Sequence, residues 1–191
     1  MTILTSDTPY LAGHLLVAMP GMTDPRFTKT VIYLCAHNEE GAMGLVINQP
    51  MEDLTFPDLL EQLGMFITDP AANIEIQTGG PVEQGRGFVL HSPDYLHDTS
   101  MVVDESVVMT GTLDILRAIA EGHGPKRRLL ALGYAGWGPG QLDREILQNG
   151  WLSVPADPDI VFDDDLEHKW LRALAKLGID LSLLSEEAGH A

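Results

Sequence analysis

The chain has 191 residues and a net charge of −17 at pH 7. Its 45% hydrophobic and 20% charged residues are typical of a globular protein and exclude a disordered one. So much negative charge repels phosphate backbones, and we therefore expect no direct contact with nucleic acid. The length favours one domain over residues 1–191, large enough to fold without a disulfide or a structural metal.

The cysteine content and the first residues indicate the compartment. Cys35 is the single cysteine, which excludes an intramolecular disulfide and a multi-cysteine metal site. Residues 1–10 contain no Lys or Arg, whereas a signal peptide starts with basic residues. The apolar run at 15–19 is much shorter than the roughly 20 residues of a membrane span. We expect a cytoplasmic protein without membrane contact.

Strand patterns dominate the first part of the chain. The run at 28–37 is apolar on both faces, as in a strand that is covered on both sides. Turn residues at 38–41 join it to a second apolar run, which predicts a hairpin. A stripe of apolar residues predicts a helix over 56–63. The predicted strands of this part are 15–18, 28–37, 42–48, 74–77, 87–91, 101–103 and 106–109.

Helices become more frequent in the second part. An amphipathic pattern predicts a helix over 113–120, and a buried strand is predicted at 129–132. A short helix is predicted over 141–148, entered through Pro139 and ended before Gly150. A last helix is predicted to start at Asp164, in a capping box with Glu167, and to stop at Gly178. This order predicts an α/β (α+β-like) sandwich, in which helices flank a single mixed, largely antiparallel sheet.

Cys35 and His37 form one candidate reactive pair. Positions i and i+2 of a strand share a face, so the imidazole could activate the thiol as a nucleophile. The alternative is that Cys35 is a small buried hydrophobic residue in an apolar strand, because no protease or redox motif surrounds it.

The glycine-rich segment 133–141 is a second candidate. It follows a strand and opens a helix, the setting in which backbone N–H groups hold an anion. It lacks the spacing of a dinucleotide or phosphate loop, and the alternative is a tight corner between strand and helix. A small-ligand sensor or an enzyme that uses this loop or Cys35 therefore remains an alternative function. We expect no catalytic residue, metal or cofactor, since the histidines and serines match no known catalytic or metal motif.

Aromatic residues and a lone cation beside glycines indicate a partner-binding surface. Tyr134 and Trp137 fall in a predicted loop of small residues, and Arg86 is the single base between residues 36 and 110. Trp, Tyr and Arg are favoured anchors of protein interfaces, although Arg86 could also pair with nearby acids. The basic cluster 126–128 is read as a solvated loop. The candidate partner-binding residues are Gly79, Gly80, Pro81, Arg86, Phe88, Tyr134, Gly136, Trp137, Gly140 and Gln141.

Several ordered segments resemble the AlgH/YqgE family of bacterial proteins. They include Gly41-Ala-Met-Gly-Leu-Val-Ile-Asn48, Gly79-Gly-Pro-Val82, Arg86-Gly-Phe-Val-Leu-His91 and Gly133-Tyr-Ala-Gly-Trp137. Further matches lie at 11–20, 24–37, 140–142, 149–152, 170 and 189–191. Gln49 stands where the family leads us to expect Lys, so a role for a cation at that position is doubtful in this chain.

The resemblance implies an α/β sandwich in one domain, with no catalytic residues and no cofactor. Members are labelled transcriptional regulators because of effects on gene expression, which does not require DNA contact. Together with the residues, this favours a non-enzymatic cytoplasmic regulatory or adaptor protein that acts through contact with a partner protein, whose surface would be built from segments 79–88 and 133–141.

Overall fold

The computed structural model of the chain describes residues 10–179, which form nine strands and five helices. The strands are β1 (His14–Ala18), β2 (Val31–Asn38), β3 (Gly41–Val46), β4 (Ile76–Thr78), β5 (Val82–His91), β6 (Met101–Val102), β7 (Val108–Thr110), β8 (Arg128–Trp137) and β9 (Trp151–Pro155). The helices are α1 (Phe56–Gln62), α2 (Leu113–Ala120), α3 (Gln141–Leu147), α4 (Pro158–Val161) and α5 (Leu166–Lys176).

The strands form one sheet in the order β6-β7-β5-β8-β3-β2-β1-β9. Neighbours on this path are antiparallel, whereas β4 pairs in parallel with the first half of β8. The second half of β8 pairs with β3 on the same side. The predicted mixed, largely antiparallel sheet flanked by helices is confirmed.

Helices cover both faces of the sheet. On one face, Trp170 and Leu174 of α5 and Val161 of α4 pack in one cluster with residues of β1, β2, β5 and β8. On the other face, α1 and α2 pack over β5 and β8, while Leu142 of α3 packs with β1, β2 and β3. The alternation of side chains along each strand places one set of apolar residues in each of these layers.

Local signals fixed most helix boundaries. Helix α2 has its predicted bounds, and Thr55 caps α1 in a box with Asp58. The cap of α5 was wrong by one residue, because Asp165, rather than Asp164, accepts from the His168 N–H. Gly178 follows α5 with φ of +79°, the left-handed conformation that ends many helices.

In the second half of the chain, one strand was predicted too short and two elements were not predicted. The strand predicted to stop at 132 continues to Trp137, so Tyr134 and Trp137 lie in β8 and not in a loop. Gly133 interrupts the apolar pattern, yet β8 continues through it. Gly133 has φ of +83° and lies against the backbone of Gly80, where a side chain would not fit. Strand β9 and the one-turn helix α4 were not predicted.

The described part of the chain contains neither a membrane-spanning helix nor a cluster of metal-binding side chains. No helix within residues 10–179 is long and apolar enough to cross a membrane. The same residues contain no group of three or more His, Cys, Asp or Glu side chains that could hold a metal ion.

Candidate partner-binding groove

A groove of about 690 Å³ opens on the α5 face of the sheet, where β2 ends and β3 begins beside the last residues of β8. Strand β5 and the β6–β7 hairpin form its other wall. Its principal side chains are Met43, Val82, Arg86, Phe88, Met101, Met109 and Tyr134.

The floor of this groove, which we call the methionine groove, is apolar. Met43, Met109 and Tyr134 are partly buried against the core cluster that contains Phe88. Phe88 and Tyr134 meet edge to face, with ring centroids 6.1 Å apart. Met101 pairs with Met109 across the β6–β7 hairpin and keeps 38% of its surface exposed. Methionine side chains adapt to different apolar shapes, which suits a surface that binds a partner.

Arg86 stands at the rim because β5 carries a large bulge. Val82 pairs with Tyr134 and Gly87 pairs with Leu132, so the residues between Val82 and Gly87 have no partner in β8. The backbone at Arg86 is therefore not paired with β8. The Arg86 guanidinium lies 5.0 Å from the Phe88 ring centroid and 3.5 Å from the Glu83 carboxylate. Its side chain is 62% exposed, so it remains available to an anionic group of a partner.

The structure brings half of the predicted site residues together. Arg86, Phe88, Tyr134, Gly136 and Trp137 all border the methionine groove. In the structure, these five residues of the two glycine-rich segments border one groove.

Gly79, Gly80 and Pro81 are predicted site residues that do not line this groove. Gly79 and Gly80 are buried where the chain crosses β8. A Cβ atom on Gly80 would lie 2.1 Å from the Tyr134 carbonyl carbon, and one on Gly79 would lie 2.3 Å from the Gly133 oxygen. These glycines allow the close approach of two backbones, which is a structural role.

Gly140 and Gln141 also lie outside the groove, at the start of α3 on the opposite face. Gly140 has φ of +71° at the N-cap. The Gln141 side chain accepts from the Gly138 N–H and donates to Glu145. The two residues shape the turn into α3 and hold it in place.

Trp137 is a packing residue more than a surface anchor. It borders the groove, but it is 8% exposed and belongs to the core under α3. Its indole N–H donates to Glu145 Oε1 at 3.0 Å, and its ring meets that of Trp151 edge to face. The predicted loop at this position was wrong, because β8 continues to Trp137 and turns its side chain into the core.

Comparison with known proteins decides the family. The AlgH-like family model matches residues 15–182. The chain belongs to the AlgH-like family. It is 57% identical over 190 residues to a UPF0301 protein of Rhodospirillum rubrum, with 100% of this chain and 99% of that one covered. It is 54% identical over 195 residues to a UPF0301 protein of Afipia carboxidovorans, with 98% and 93% covered.

Two solved structures resemble this AlgH-like fold. The solution structure of the AlgH protein from Pseudomonas aeruginosa is similar with a TM-score of 0.77 and 47% identity, over 100% of both chains. A crystal structure of a Corynebacterium diphtheriae protein has a TM-score of 0.71 at 22% identity, over 88% of this chain and 87% of that one. The second likeness extends the fold alone to a distant sequence.

The hypothesis of a Cys35–His37 pair is wrong for this AlgH-like chain. A bulge between Leu34 and Ala36 breaks the alternation of β2, so the two side chains face different layers. Cys35 is 3% exposed in the core under α5, and burial raises the pKa of its thiol. The His37 ring accepts from the Leu11 N–H at Nδ1, and its Nε2 lies 3.3 Å from Asp143 of α3.

Met43, Met101 and Met109 are groove residues that sequence reasoning missed. Each lies in or beside a predicted strand, and eight methionines occur in the chain. Short strands often lie at the edge of a sheet, and methionine is frequent at surfaces that adapt to a binding partner. Methionine in such strands is therefore a signal for a binding surface. The three residues meet through strand pairings between distant segments, which the local pattern does not specify.

Proposed function

We propose that the chain is a non-enzymatic, cytoplasmic regulatory or adaptor protein that binds a partner protein in the methionine groove. The observation that carries the proposal is an open apolar groove floored by methionine and aromatic side chains, with a cation at its rim. Apolar anchors surrounded by polar groups are the usual arrangement of a protein-binding site.

The side chains that line the groove favour a partner segment with a particular composition. Met43, Met109 and Phe88 suit one or two apolar side chains, such as Leu, Met or Phe. Arg86 lies in a strongly acidic molecule and suits a carboxylate next to those side chains. We therefore propose a short partner segment that combines apolar residues with Asp or Glu.

The alternative of an enzyme or sensor at Cys35 or at residues 133–141 has less support. The Cys35 thiol is buried away from His37. Residues 133–137 belong to a paired strand. At the start of α3, the Gln141 side chain already accepts a hydrogen bond from the Gly138 N–H, which is then not available to an anion. The net charge of −17 favours an indirect effect on transcription over DNA contact.

Site-specific photo-crosslinking in cells tests the proposal. A photoreactive residue at position 101, at the mouth of the groove, is expected to capture a partner, and Arg86→Glu in the same chain is expected to reduce that capture. The matched control has the photoreactive residue at position 147, since Leu147 is 83% exposed on α3, on the opposite face. Capture that is the same from positions 101 and 147, or that is unaffected by Arg86→Glu, would overturn the groove as the binding site.

A further inference from the structure

A second cavity lies at the other end of β8 from the methionine groove. It has a volume of about 450 Å³ and is bordered by Lys126, Arg127 and Arg128 at the start of the strand. The segment before β4 and the end of α4 close its sides. Its lining is mixed in charge, which distinguishes it from the methionine groove.

A small chamber of about 30 Å³ adjoins this cavity. Glu75, Arg128, Phe162 and Asp164 line both spaces, and Gln77 lines the chamber. The chamber is the size of one water molecule or of one small polar group such as an ammonium. We call the two spaces together the charged cavity.

Gln77, which lines the chamber, indicates that a hydrogen-bond donor is bound there. It is the central residue of β4 and is 1% exposed. Its Oε1 atom is buried and has no hydrogen-bond partner among the described residues. A buried amide oxygen without a donor is costly, so the fold is expected to have a donor group in the chamber.

The charges around the chamber favour a cationic donor. Within residues 10–179, the Glu75 and Asp164 carboxylates form no ion pair. Arg128 also lines both spaces, but its guanidinium donates to the carbonyl oxygens of Asn73 and Pro125 and pairs with neither carboxylate. Two free carboxylates, an amide oxygen and an aromatic ring at Phe162 are the groups that hold an ammonium group.

The mouth of the cavity has the opposite character. Arg127 pairs with Asp159 at 2.9 Å, and the exposed Lys126 forms no side-chain hydrogen bond in the described part of the chain. A second, anionic group of a ligand would therefore meet the Lys126 ammonium in the same cavity that Glu75 and Asp164 line.

Lys169 borders this region from the core side. It is fully buried, and its Nζ donates to the carbonyl oxygens of Ile47 and Val161. Burial lowers the pKa of Lys169 to about 7, and the charges of Glu75 and Asp164 oppose that effect. Because its Nζ donates to two carbonyl oxygens, Lys169 leaves the Glu75 and Asp164 carboxylates without a hydrogen bond from it.

We propose that the charged cavity binds a small zwitterion, an amino acid or a related amino carboxylate. Its ammonium group occupies the chamber beside Gln77, Glu75 and Asp164, and its carboxylate meets Lys126 at the mouth. This site is separate from the methionine groove and does not depend on the function proposed for it.

Titration of the full chain with defined probes tests this inference. The probes are glycine, L-alanine and 4-aminobutyrate, with methylammonium and acetate as matched half-ligands, each up to about 10 mM, above the usual range for metabolites. Binding is followed by the NMR resonances of the Gln77 side-chain amide and by the melting temperature. We expect at least one amino carboxylate to shift both in a saturable way, more tightly than either half-ligand.

Variants locate the binding. Glu75→Gln and Asp164→Asn change exposed carboxylates and should leave the fold intact, and each is expected to weaken binding about tenfold or more, the effect of one charge-assisted contact. Glu83→Gln at the methionine groove is the control and should change nothing. The inference is overturned if no probe moves the Gln77 resonance, which would leave the chamber to a water molecule. Equal binding of methylammonium, or unchanged binding by both cavity variants, would also contradict it.

Discussion

Glu145 of α3 joins three side chains that hold the layer under α3 together. Its Oε1 accepts from the indole N–H groups of both Trp137 and Trp151 at 3.0 Å, and its Oε2 accepts from Gln141. Trp137 and Trp151 lie in adjoining parts of the core, 6.2 Å apart between ring centroids. One carboxylate therefore ties α3 to β8 and β9.

Removing this carboxylate should destabilise the protein in a graded way. Glu145→Ala leaves two largely buried indole N–H groups without an acceptor and should lower the free energy of unfolding by about 2–4 kcal/mol. Glu145→Gln keeps an oxygen with two lone pairs and should cost about 1 kcal/mol or less. Urea denaturation followed by tryptophan fluorescence measures both; equal losses would show that the indole hydrogen bonds do not matter.

Lys169 gives a pH dependence whose sign follows from its burial. Its pKa falls from 10.5 to about 7 on folding, so between these values the unfolded chain binds more protons than the folded one. The unfolding free energy should therefore rise as the pH rises from 7 to 10.5. Lys169→Met removes this contribution.

The stability of the wild type relative to Lys169→Met should increase from pH 7 to pH 10, by an amount on the order of 2–4 kcal/mol. Urea denaturation of both proteins at several pH values measures the difference, and groups common to both cancel. A difference that stays constant over this range would contradict the burial of a titrating amine at position 169.

At the scale of elements, the pairing of β5 with β8 depends on Gly80. Its φ of +154° and its contact with the Tyr134 backbone leave no space for a side chain. Gly85, in the bulge of the same strand, has nothing within 4 Å of its would-be Cβ. Comparing the same substitution at Gly80 and Gly85 therefore distinguishes the effect of the close backbone contact from the effect of replacing a glycine.

Gly80→Ala should destabilise the protein by about 3 kcal/mol or more, because a buried backbone must shift. Gly85→Ala should change the stability by about 0.5 kcal/mol or less. Thermal or urea unfolding of both variants gives the comparison. Similar, small effects would contradict the close approach of β5 and β8 at this point.

Elements with strong local signals were predictable from the sequence. Helix α2 and the β2–β3 hairpin follow from apolar spacing and turn residues, and the order of the elements predicted the sheet class. Strand β8 was cut short because Gly133 and Gly136 are poor strand formers, and Gly133 is there because another backbone lies against it. That reason is a contact with Gly80, distant in sequence, which local propensity does not contain.

The candidate site was predictable to a similar extent. Arg86, Phe88 and Tyr134 stood out by type, and they do meet. The orientation of Trp137 and the separation of Cys35 from His37 could not be predicted, because each depends on a strand extension or a bulge that breaks simple alternation. Met43 and Met109 reach the groove through pairings of β3 and β7 with distant strands.

On the scale of the whole molecule, β8 connects two surfaces of different chemistry. Its C-terminal end lies at the apolar methionine groove, and its N-terminal end lies at the charged cavity. One side of the strand pairs with β5, and the other side pairs first with β4 and then with β3. The partner and the small ligand that we propose would therefore bind at opposite ends of one strand.

The affinity of the crosslinked partner for three forms of the protein tests the central claim most directly. Arg86→Glu combined with Met101→Glu changes two exposed groove side chains, and Leu147→Glu is a control at a still more exposed position on α3. By isothermal titration calorimetry, the groove variant should bind about tenfold or more weakly than the wild type, as for the loss of an interface anchor, while Leu147→Glu should bind as the wild type does. Equal affinity of all three forms would contradict the methionine groove as the partner site.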